Sequence, residues 1–586
     1  MNVTMKKLFA YFKNYKWQSL LGPLFKLFEA TFELLVPFVV GLIVDKGLGE
    51  KVNGAYPNAD GGYIALLCGV LALLGLLGFA FSVTAQYFCA RVATGVAGDI
   101  RSDLFKKIQS LSYKDIDNLG TATLLTRMTS DVDRFQSGVN LALRLFLRSP
   151  FIVFGAMLTA FFIDKNSIGV FALTILILAV IVYAVTFICM PLYKKAQAKL
   201  DKVSLSTREN LTGARVVRAF CQEEQERVLF DTRNEELTKS RKFVGVLASL
   251  TNPLTFVVIN LATIVLIYTG ALRVEIGELS QGSVLALYNL MGQILIELIK
   301  LANLIVTVTK AAACGGRIAD VLEMQPSLQT QTDDQQTDEE RYLVFNGVTA
   351  RYIDGADAAL ENISFTLKKG ETLGVIGGTG SGKTTLVNLI PHFYDIERGE
   401  IFVNGKNVKN EEMQTYLRER VGIVPQKARL FKGTLRENLL WGKADATDSQ
   451  LWQALEIAQA KEFVEEKGGL DIPVEQGGKN FSGGQKQRLT IARALVRDPD
   501  LLILDDSSSA LDYATDAALR KGVRGLKTTC IIVSQRASSV MHADKILVLD
   551  DGKCVGAGKH EDLLKSCEVY REIYDSQYKN KGEDAV

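Results

Sequence analysis

The first half of the chain consists of long apolar stretches separated by polar ones. A helix needs about 20 mostly apolar residues to cross a membrane. The stretches that reach or approach this length are 18–44, 63–88, 145–163, 167–193, 246–272 and 282–308. Two long polar segments, 91–136 and 193–242, are predicted helices rich in lysine and arginine, whereas each other connection has one or two such residues. Because positive segments stay in the cytoplasm, we expect a multi-pass protein of the cell (inner) membrane with these segments and both termini on the cytoplasmic side.

The pattern changes after the sixth apolar stretch. Residues 326–340 are polar, acidic and without periodicity, which is typical of a linker. Beyond them, short apolar runs such as 371–377 and 501–506 have the length and composition of buried parallel strands that alternate with helices. The sequence therefore predicts a multi-domain protein, with an all-α six-helix transmembrane domain over 1–325 and an α/β domain over 341–586.

Composition supports the membrane portion and narrows the classes of function. Hydrophobic residues make up 48% of the 586 residues, and the mean hydropathy is positive at +0.14. The net charge of +2 offers no basic excess for binding nucleic acid. Eight cysteines without a CxxC pair argue against a disulfide framework or a zinc site. All three histidines lie in the second half, which excludes a histidine-based metal site among the apolar stretches.

A glycine-rich segment of the α/β half carries the first chemical signal. The sequence GGTGSGKT fits the pattern G-x-x-x-x-G-K-[ST] between a strand-like run and a helix-like run. Glycines let backbone N–H groups point at phosphate oxygens, helped by the N-terminus of the following helix. Lys383 would neutralise the β- and γ-phosphates, and the Thr384 hydroxyl would bind Mg²⁺. The predicted nucleotide-binding residues are Gly377, Gly378, Thr379, Gly380, Ser381, Gly382, Lys383, Thr384 and Thr385.

Two further segments complete this signal and predict a P-loop ATPase. The apolar run LLILD ends in Asp505, as the Walker B element requires to hold Mg²⁺. Between this run and the phosphate loop lies FSGGQKQR, whose glycine pair and serine suit phosphate binding at a helix N-terminus. The four residues of this signature are Ser482, Gly483, Gly484 and Gln485.

The order of these three motifs resembles the ATP-binding cassette (ABC) transporter family, and the resemblance extends over nearly the whole chain. Six spans ahead of one cassette resemble a half-transporter of the exporter type. The resemblance implies that the α/β domain is an ABC nucleotide-binding domain that uses ATP and Mg²⁺. It implies that the chain sits in the lipid bilayer, moves an amphipathic small molecule such as a drug or a lipid, and pairs with a second half-transporter; a peptide stays possible as the substrate. It also implies that coupling helices lie near 112–125 and 208–222.

The resemblance assigns further residues. It implies that Tyr352 stacks on adenine and that Gln426 senses Mg²⁺ and contacts the membrane domain. It implies that the signature contacts the γ-phosphate bound to the opposite subunit, and that Asp512 belongs to the D-loop together with Ser509. Thr384, Gln426 and Asp505 are thus the expected Mg²⁺ site.

Two residues depart from the pattern of a hydrolytic cassette. The family has glutamate directly after the Walker B aspartate and a histidine about 30 residues later, whereas this chain has Asp506 and Gln535. Aspartate is one methylene shorter, and misplacing a catalytic group by about 1 Å costs roughly 100-fold in rate. Gln535 can donate a hydrogen bond but cannot carry a positive charge. Both changes weaken hydrolysis and leave phosphate binding intact.

This combination is similar to the degenerate-site half of heterodimeric bacterial multidrug ABC exporters. It predicts a subunit that binds ATP at a hydrolysis-impaired site and supplies an intact signature to a partner. Three alternatives stay open: a tolerated swap to aspartate with slow turnover, a slow homodimeric exporter, and a nucleotide-gated channel or regulatory membrane subunit.

Acidic residues inside the apolar stretches form a second candidate site. Glu29, Glu33 and Glu297 could line a substrate pathway and attract a cationic amphiphile. The alternative is structural. Lys26 with Glu29, and Glu297 with Lys300, have the i,i+3 spacing of helical ion pairs, while Arg144 and Arg148 would extend to the inner membrane surface.

Overall fold

The chain folds as two compact units. The computed structural model describes residues 8–48, 59–328, 341–352, 357–508, 510–526 and 528–578. One unit comprises Met1–Gln109 and Ala122–Met324, and the other comprises Ser110–Thr121 and Gln325–Val586. The predicted linker, 326–340, lies outside the described residues from residue 329 on. The domain boundaries drawn from the sequence stay predictions.

Six helical segments in the described part of the chain are long and apolar enough to cross a membrane, which confirms the predicted number. They are span 1 (Leu8–Leu48), span 2 (Gly61–Ser110), span 3 (Thr121–Ile163), span 4 (Lys165–Thr212), span 5 (Glu223–Glu275) and span 6 (Gln281–Glu323). Each is longer than its apolar stretch because the polar segments continue the same helices.

The spans contain several helices, and short helices α3 and α8 lie within the two predicted coupling segments. In chain order the α-helices up to residue 324 are α1 (Lys16–Leu42), α2 (Gly61–Ser110), α3 (Tyr113–Leu119), α4 (Thr121–Thr126), α5 (Val132–Leu145), α6 (Arg148–Ile163), α7 (Ile168–Thr212), α8 (Ala214–Ala219), α9 (Glu223–Ser249), α10 (Thr251–Glu275) and α11 (Gln281–Glu323). Shorter 3₁₀ or π turns cover Tyr11–Tyr15, Ile43–Leu48, Arg127–Asp131 and Lys165–Ser167.

Asp45 joins the last turn of span 1 to the first turn of span 6. Its carboxylate accepts hydrogen bonds from Ser280 Oγ at 2.6 Å and from the backbone N–H of Gly282 at 2.7 Å. An acid at this place satisfies a free N–H group and complements the dipole of α11. Gly282 approaches span 1 so closely that a Cβ built on it would stand 2.1 Å from the carbonyl oxygen of Gly41. The packing of these two helices therefore requires glycine at this position.

The second unit is built from three sheets with helices around them. Its strands are β1 (Leu343–Ala350), β2 (Leu360–Leu367), β3 (Thr372–Gly377), β4 (Arg398–Val403), β5 (Lys406–Asn407), β6 (Val421–Val424), β7 (Gly433–Thr434), β8 (Pro473–Val474), β9 (Leu501–Asp505), β10 (Thr529–Val533), β11 (Lys545–Asp550) and β12 (Lys553–Gly558). The order is β2-β1-β4-β5 in an antiparallel sheet and β12-β11-β3-β10-β9-β6 in the central sheet, and β7 pairs with β8.

Helices follow most of these strands, as expected for an α/β domain. They are α12 (Lys383–Leu389), α13 (Glu411–Arg420), α14 (Leu435–Leu440), α15 (Asp448–Ile457), α16 (Lys461–Lys467), α17 (Gly483–Val496), α18 (Tyr513–Gly525), α19 (Ala537–Val540), α20 (His560–Ser566) and α21 (Glu568–Tyr578). A 3₁₀ turn covers Gln476–Gly478. The predicted fold class, six apolar helices followed by an α/β domain, is confirmed.

Five neighbouring strands of the central sheet, β11, β3, β10, β9 and β6, run parallel, and the last four of them position the segments described below. Their register places Val533 beside both Val375 and Asp505, and Leu504 beside Val424. Every residue of β9 is buried, which matches the continuous apolar run that parallel strands require. Because parallel strands end at one edge, the segments that follow these four strands meet there.

The segment Ser110–Thr121 belongs to the second unit although it precedes most of the chain. The ring of Tyr113 lies 4.5 Å from that of Phe393, and the hydroxyl of Tyr394 donates a 2.7 Å hydrogen bond to Asp117. Helix α3 begins with a capping box of Ser112 and Asp115. The Asp115 carboxylate also accepts from the backbone N–H of Ser327 at 3.0 Å. Burial by itself raises the pKa of Asp115, but these hydrogen bonds lower it overall.

We expect Gly282→Ala to destabilise the first unit by about 1–3 kcal/mol, because the added methyl group would collide with the backbone of span 1. Gly292→Ala is the matched control in the same helix, since a Cβ there meets open space. It should be neutral or stabilising, by up to about 1 kcal/mol. Thermal unfolding of the purified protein measures both variants, and equal midpoints for the two would contradict the close packing.

Candidate functional site

The phosphate loop connects β3 to α12 at the carboxyl edge of the central sheet. The strand ends at Gly377, and the helix begins at Lys383. Gly380 and Gly382 have φ angles of +86° and +93°, which L side chains rarely adopt. A Cβ on Gly382 would also lie 2.6 Å from the carbonyl oxygen of Ala359. The glycines of the motif are therefore required by the turn itself.

The side chain of Lys383 folds back into this loop. Its Nζ donates to the carbonyl oxygens of Gly377 at 2.9 Å and Gly378 at 2.5 Å, and to Ser381 Oγ at 3.3 Å. Burial lowers the pKa of Lys383, while the nearby carboxylates of Asp506 and Asp505 oppose that shift. The ammonium group thus sits at the centre of the loop, where the β- and γ-phosphates are expected. Thr379 lies in the same loop.

Thr384 and Asp505 come together as the predicted Mg²⁺ ligands. Thr384 Oγ1 donates a 3.3 Å hydrogen bond to Asp505 Oδ1, which lies at the end of β9. A hydroxyl and a carboxylate are the hard oxygen donors that Mg²⁺ binds through one or two protein groups, with water and phosphates filling the other positions. These residues therefore fit the ion. Burial raises the pKa of Asp505.

Gln426 contacts the residue after Asp505. It follows β6, and its Nε2 donates to Asp506 Oδ2 at 3.3 Å. The backbone N–H of Asp506 donates to Val533 O at 3.0 Å, and its φ of +45° is in the left-handed region that aspartate tolerates better than most residues. Gln535 follows β10 and is exposed. The four parallel strands thus supply the loop, Asp505, Gln426 and Gln535 at one edge.

Tyr352 lies beside the first turn of α12. Its hydroxyl is 3.0 Å from Thr385 Oγ1, and its ring stands edge-on to that of Tyr394 at 5.0 Å. Tyr352 is 38% exposed, so part of its surface is accessible, and stacking on adenine stays a prediction. Tyr394 also reaches Asp117 through its hydroxyl. No sequence motif points to Tyr394, because a single aromatic residue in a loop has no characteristic pattern around it.

The signature forms the N-terminus of α17. Ser482 caps the helix by a capping box, in which its Oγ accepts from the N–H of Gln485 at 3.3 Å. Gly483 is exposed, and a Cβ on Gly484 would lie 2.9 Å from the carbonyl oxygen of Ala510. In the part of the chain that the structure describes, these residues form no hydrogen bond with the phosphate loop. Their open helix end is thus available to a phosphate from outside the chain.

The D-loop residues are described only in part. Asp512 caps α18 by accepting from the N–H of Thr515 at 3.1 Å, and this hydrogen bond lowers the pKa of Asp512. Ser509 lies outside the described residues.

The three candidate acids of the first unit, Glu29, Glu33 and Glu297, each form an ion pair with a base. Arg148 donates to Glu33 Oε2 and to Glu297 Oε1, each at 2.6 Å, while Lys26 pairs with Glu29. The i,i+3 ion pairs of the structural alternative are present. Its prediction for Arg148 was wrong, because the residue as a whole is 7% exposed and pairs with Glu33 and Glu297 instead of extending to the membrane surface. A role of these acids in a substrate pathway stays a prediction.

Known proteins resemble both halves of the chain. Residues 19–298 match the family described as ABC transporter transmembrane region, and residues 360–509 match the family described as ABC transporter. The ABC transporter ATP-binding protein YfiB of Bacillus subtilis is 32% identical over 588 residues, which cover 99% of this chain and 100% of YfiB. The ABC transporter ATP-binding protein Rv1273c of Mycobacterium tuberculosis is 34% identical over 560 residues, or 94% of each chain.

A solved structure shares the fold. It is a bacterial Atm1-family ABC exporter with ATP bound, and it superposes with a TM-score of 0.78 over 97% of this chain and 98% of that chain. The sequence identity is 21%, so this likeness concerns the fold alone.

Burial raises the pKa of Asp505 above 3.8, the ordinary value for an aspartate. As the pH falls, we therefore expect the Mg²⁺-dependent part of ATP binding to be lost at a higher pH than it would be with an aspartate of ordinary pKa. The carboxylate binds Mg²⁺ when ionised, so the contribution is present above the raised pKa and is lost as the pH falls through it. The measurement is ATP affinity with Mg²⁺ and with EDTA, from about pH 7.5 to about pH 4.5.

The ratio of the two affinities should fall toward one on acidification. In Asp505→Asn, which has no carboxylate to titrate, the ratio should be low at every pH. A wild-type ratio that follows the same course as that of Asp505→Asn would contradict the assignment.

Proposed function

The chain belongs to the ABC transporter family as a half-transporter of the exporter type, and we propose that it is the degenerate-site subunit of a heterodimeric exporter. It binds ATP at its own site, hydrolyses it weakly and completes the active site of a different partner chain. The observation that carries this proposal is the pair Asp506 and Gln535, which stand at the carboxyl edge of the sheet where the hydrolytic machinery is expected.

The binding groups of this site are complete, and only the groups for bond cleavage are altered. Lys383 provides the charge for the phosphates, and Thr384 and Asp505 provide oxygen donors for Mg²⁺. A bound Mg²⁺ would neutralise charge that develops on the transferred phosphoryl group. Asp506 holds its carboxylate toward Gln426 on a side chain one methylene shorter than glutamate. Gln535 offers an amide but no positive charge. The expected result is tight binding with slow turnover.

The signature supports a role toward the partner. Ser482 and Gly483 form an exposed helix N-terminus that makes no hydrogen bond with the chain's own phosphate loop among the described residues. A helix end of this kind binds phosphate through its N–H groups and dipole. The signature of this chain contributes to hydrolysis only when it contacts a nucleotide that is bound to another chain.

The transported molecule is proposed to be an amphipathic small molecule, drug-like or lipid-like, and the cassette and both termini are proposed to lie in the cytoplasm. The support for this orientation is the lysine and arginine content of the segments 91–136 and 193–242. Export is the proposed direction, supported by the resemblance of six spans and one cassette to half-transporters of the exporter type.

The two nucleotide sites of the heterodimer should contribute unequally to ATP hydrolysis. Asp506→Asn should lower ATP hydrolysis of the assembled heterodimer by less than about twofold, since this site contributes little chemistry. Ser482→Ala should lower it about tenfold or more, because the serine acts on the partner's competent site. Removing the partner's Walker B glutamate should abolish hydrolysis. Steady-state turnover of the purified complexes measures all three.

The chain purified alone should show negligible turnover. Hydrolysis at about 1 s⁻¹ or faster from a pure homodimer, which is within the ordinary enzyme range, would favour the slow homodimeric alternative. Equal losses from Asp506→Asn and from the partner's glutamate variant would contradict the asymmetry.

The weak site should keep its nucleotide while the partner's site turns over. ATP that is bound without being cleaved should stabilise the closed pair of cassettes, by about 2.7 kcal/mol at 100 times the Kd. We therefore expect one unhydrolysed ATP at Lys383 during turnover, while ADP forms at the partner's lysine. Photo-crosslinking of trapped nucleotide, followed by mass spectrometry of each phosphate loop, distinguishes the two sites. Lys383→Ala should lose the retained ATP and slow transport, whereas ADP found equally at both loops would show two ordinary sites.

A further inference from the structure

Six charged side chains from spans 1, 3 and 6 are linked by ion pairs inside the first unit. Arg148 binds Glu33 and Glu297, and Lys300 Nζ donates to the same Glu297 oxygen at 2.7 Å. Ser149 Oγ donates to the other Glu297 oxygen at 2.7 Å. The six are Lys26, Glu29, Glu33, Arg148, Glu297 and Lys300. Three positive and three negative charges make this charge network neutral.

The charge network lies deep within the spans. Glu33 and Glu297 are each roughly 20 Å along their helices from the junction that Asp45 forms with the start of span 6, at about 1.5 Å per residue. The hydrocarbon core of a membrane is about 30 Å thick. Both acids are therefore at similar depth and well inside the apolar zone.

Two members of the charge network are accessible, and they have opposite charge. The side chains of Glu33 and Lys300 are 41% and 40% exposed, whereas those of Arg148 and Glu297 are 8% and 2% exposed. A charge at this depth is strongly disfavoured against lipid, so accessible charges face protein or a water-filled cavity. The exposed ends of Glu33 and Lys300 thus mark a polar wall of the helical bundle.

Polar atoms beside this wall have no hydrogen-bond partner among the described residues. They are Nε of Arg148, a side chain more than nine-tenths buried, and Oε1 of Gln293. Gln293 donates through its Nε2 to the backbone carbonyl of Glu33 at 3.2 Å, which places its amide next to that residue. Both atoms are fully buried, so they lie behind the accessible charges and make the interior next to Glu33 polar.

We propose that the charge network binds the transported molecule through an amphoteric group, with an ammonium at Glu33 and an anion at Lys300; this rests on the exporter function proposed above. Because each acid is matched by a base, a ligand of one charge would leave an unbalanced charge in a low-dielectric site. An amphoteric ligand brings one positive and one negative charge, so the site stays neutral when the ligand binds. This differs from the cationic amphiphile expected from the acids alone.

The spacing of the two accessible charges limits the ligand. Three hydrogen bonds through Arg148 and Glu297 connect Glu33 to Lys300, so the two charges lie within about 10 Å of each other. Three residues of extended peptide span roughly 10 Å between their termini. A short apolar peptide with free termini and a zwitterionic phospholipid headgroup share this chemistry.

The experiment measures equilibrium binding and ligand-stimulated ATP hydrolysis with the assembled transporter in nanodiscs of phosphatidylglycerol, which is not zwitterionic. The probes are trileucine with free termini, N-acetyl-trileucine, trileucine amide, and lysophosphatidylethanolamine. Trileucine should bind about tenfold or more tightly than either capped form, the loss expected from one charged hydrogen bond. If only the lysolipid binds more tightly than the capped peptides, the ligand is a lipid headgroup. If only trileucine does, the ligand is a soluble peptide.

Two variants assign each end of the ligand. Glu33→Gln should abolish the preference for a free amine and keep that for a free carboxylate, and Lys300→Gln should do the reverse. Glu235→Gln and Lys239→Gln are matched controls, because these residues form an exposed 3.2 Å ion pair outside the charge network. Both preferences should persist in the controls.

The proposal is overturned if wild-type protein binds neither amphoteric probe more tightly than the capped peptides, a comparison that needs no variant to fold. It is also overturned if Glu33→Gln and Lys300→Gln weaken every ligand equally, as a purely structural role requires. ATP binding and hydrolysis without ligand, measured in the same samples, report on the function of the cassette. They distinguish failure of this site from failure of the proposed heterodimer.

Discussion

Parallel pairing of β3, β10, β9 and β6 is the constraint on which the nucleotide site depends. The phosphate loop, Asp505 and Gln426 come from segments far apart in sequence, and register along four strands sets where each segment begins. The hydrogen bond between Thr384 and Asp505 exists because β3 and β9 both flank β10 and end at the same edge. Burial of this edge also determines its electrostatics, since it raises the pKa of Asp505 and lowers that of Lys383.

The membrane unit obeys a different constraint, which is charge neutrality at depth. Its backbone is satisfied within the helices, so the costly groups are side chains. Arg148 solves this by bridging Glu33 and Glu297, residues of two other spans. Such a bridge orders three helices relative to one another, but removal of one partner would leave a buried charge uncompensated. The same few residues therefore determine how the helices pack and which polar ligands the unit can bind.

Local signals made much of this architecture predictable. Six apolar stretches and the motif around Lys383 are visible in short windows, and the pairs Lys26–Glu29 and Glu297–Lys300 follow from helical spacing. Long-range partners were not predictable. Arg148 finds acids 115 and 149 residues away, and no local pattern announces them. Likewise, the segment 110–121 lay within a polar stretch assigned to the membrane domain, whereas the structure packs it with the cassette. Whether Asp506 can support ATP hydrolysis depends on where its carboxylate lies to within about 1 Å, and the sequence does not give this position.

The hydrogen bond between Asp117 and Tyr394 has a consequence for biosynthesis. These residues are 277 apart in the chain. At roughly 5–20 residues per second, tens of seconds separate their emergence from the ribosome. Throughout this interval Tyr113 lacks the rings of Phe393 and Tyr394 that it contacts in the folded chain, and a cassette started at residue 325 would lack Tyr113. The compact unit that contains the cassette therefore includes a segment that is synthesised long before the cassette. Truncation at residue 325 would separate residues that belong to one compact unit.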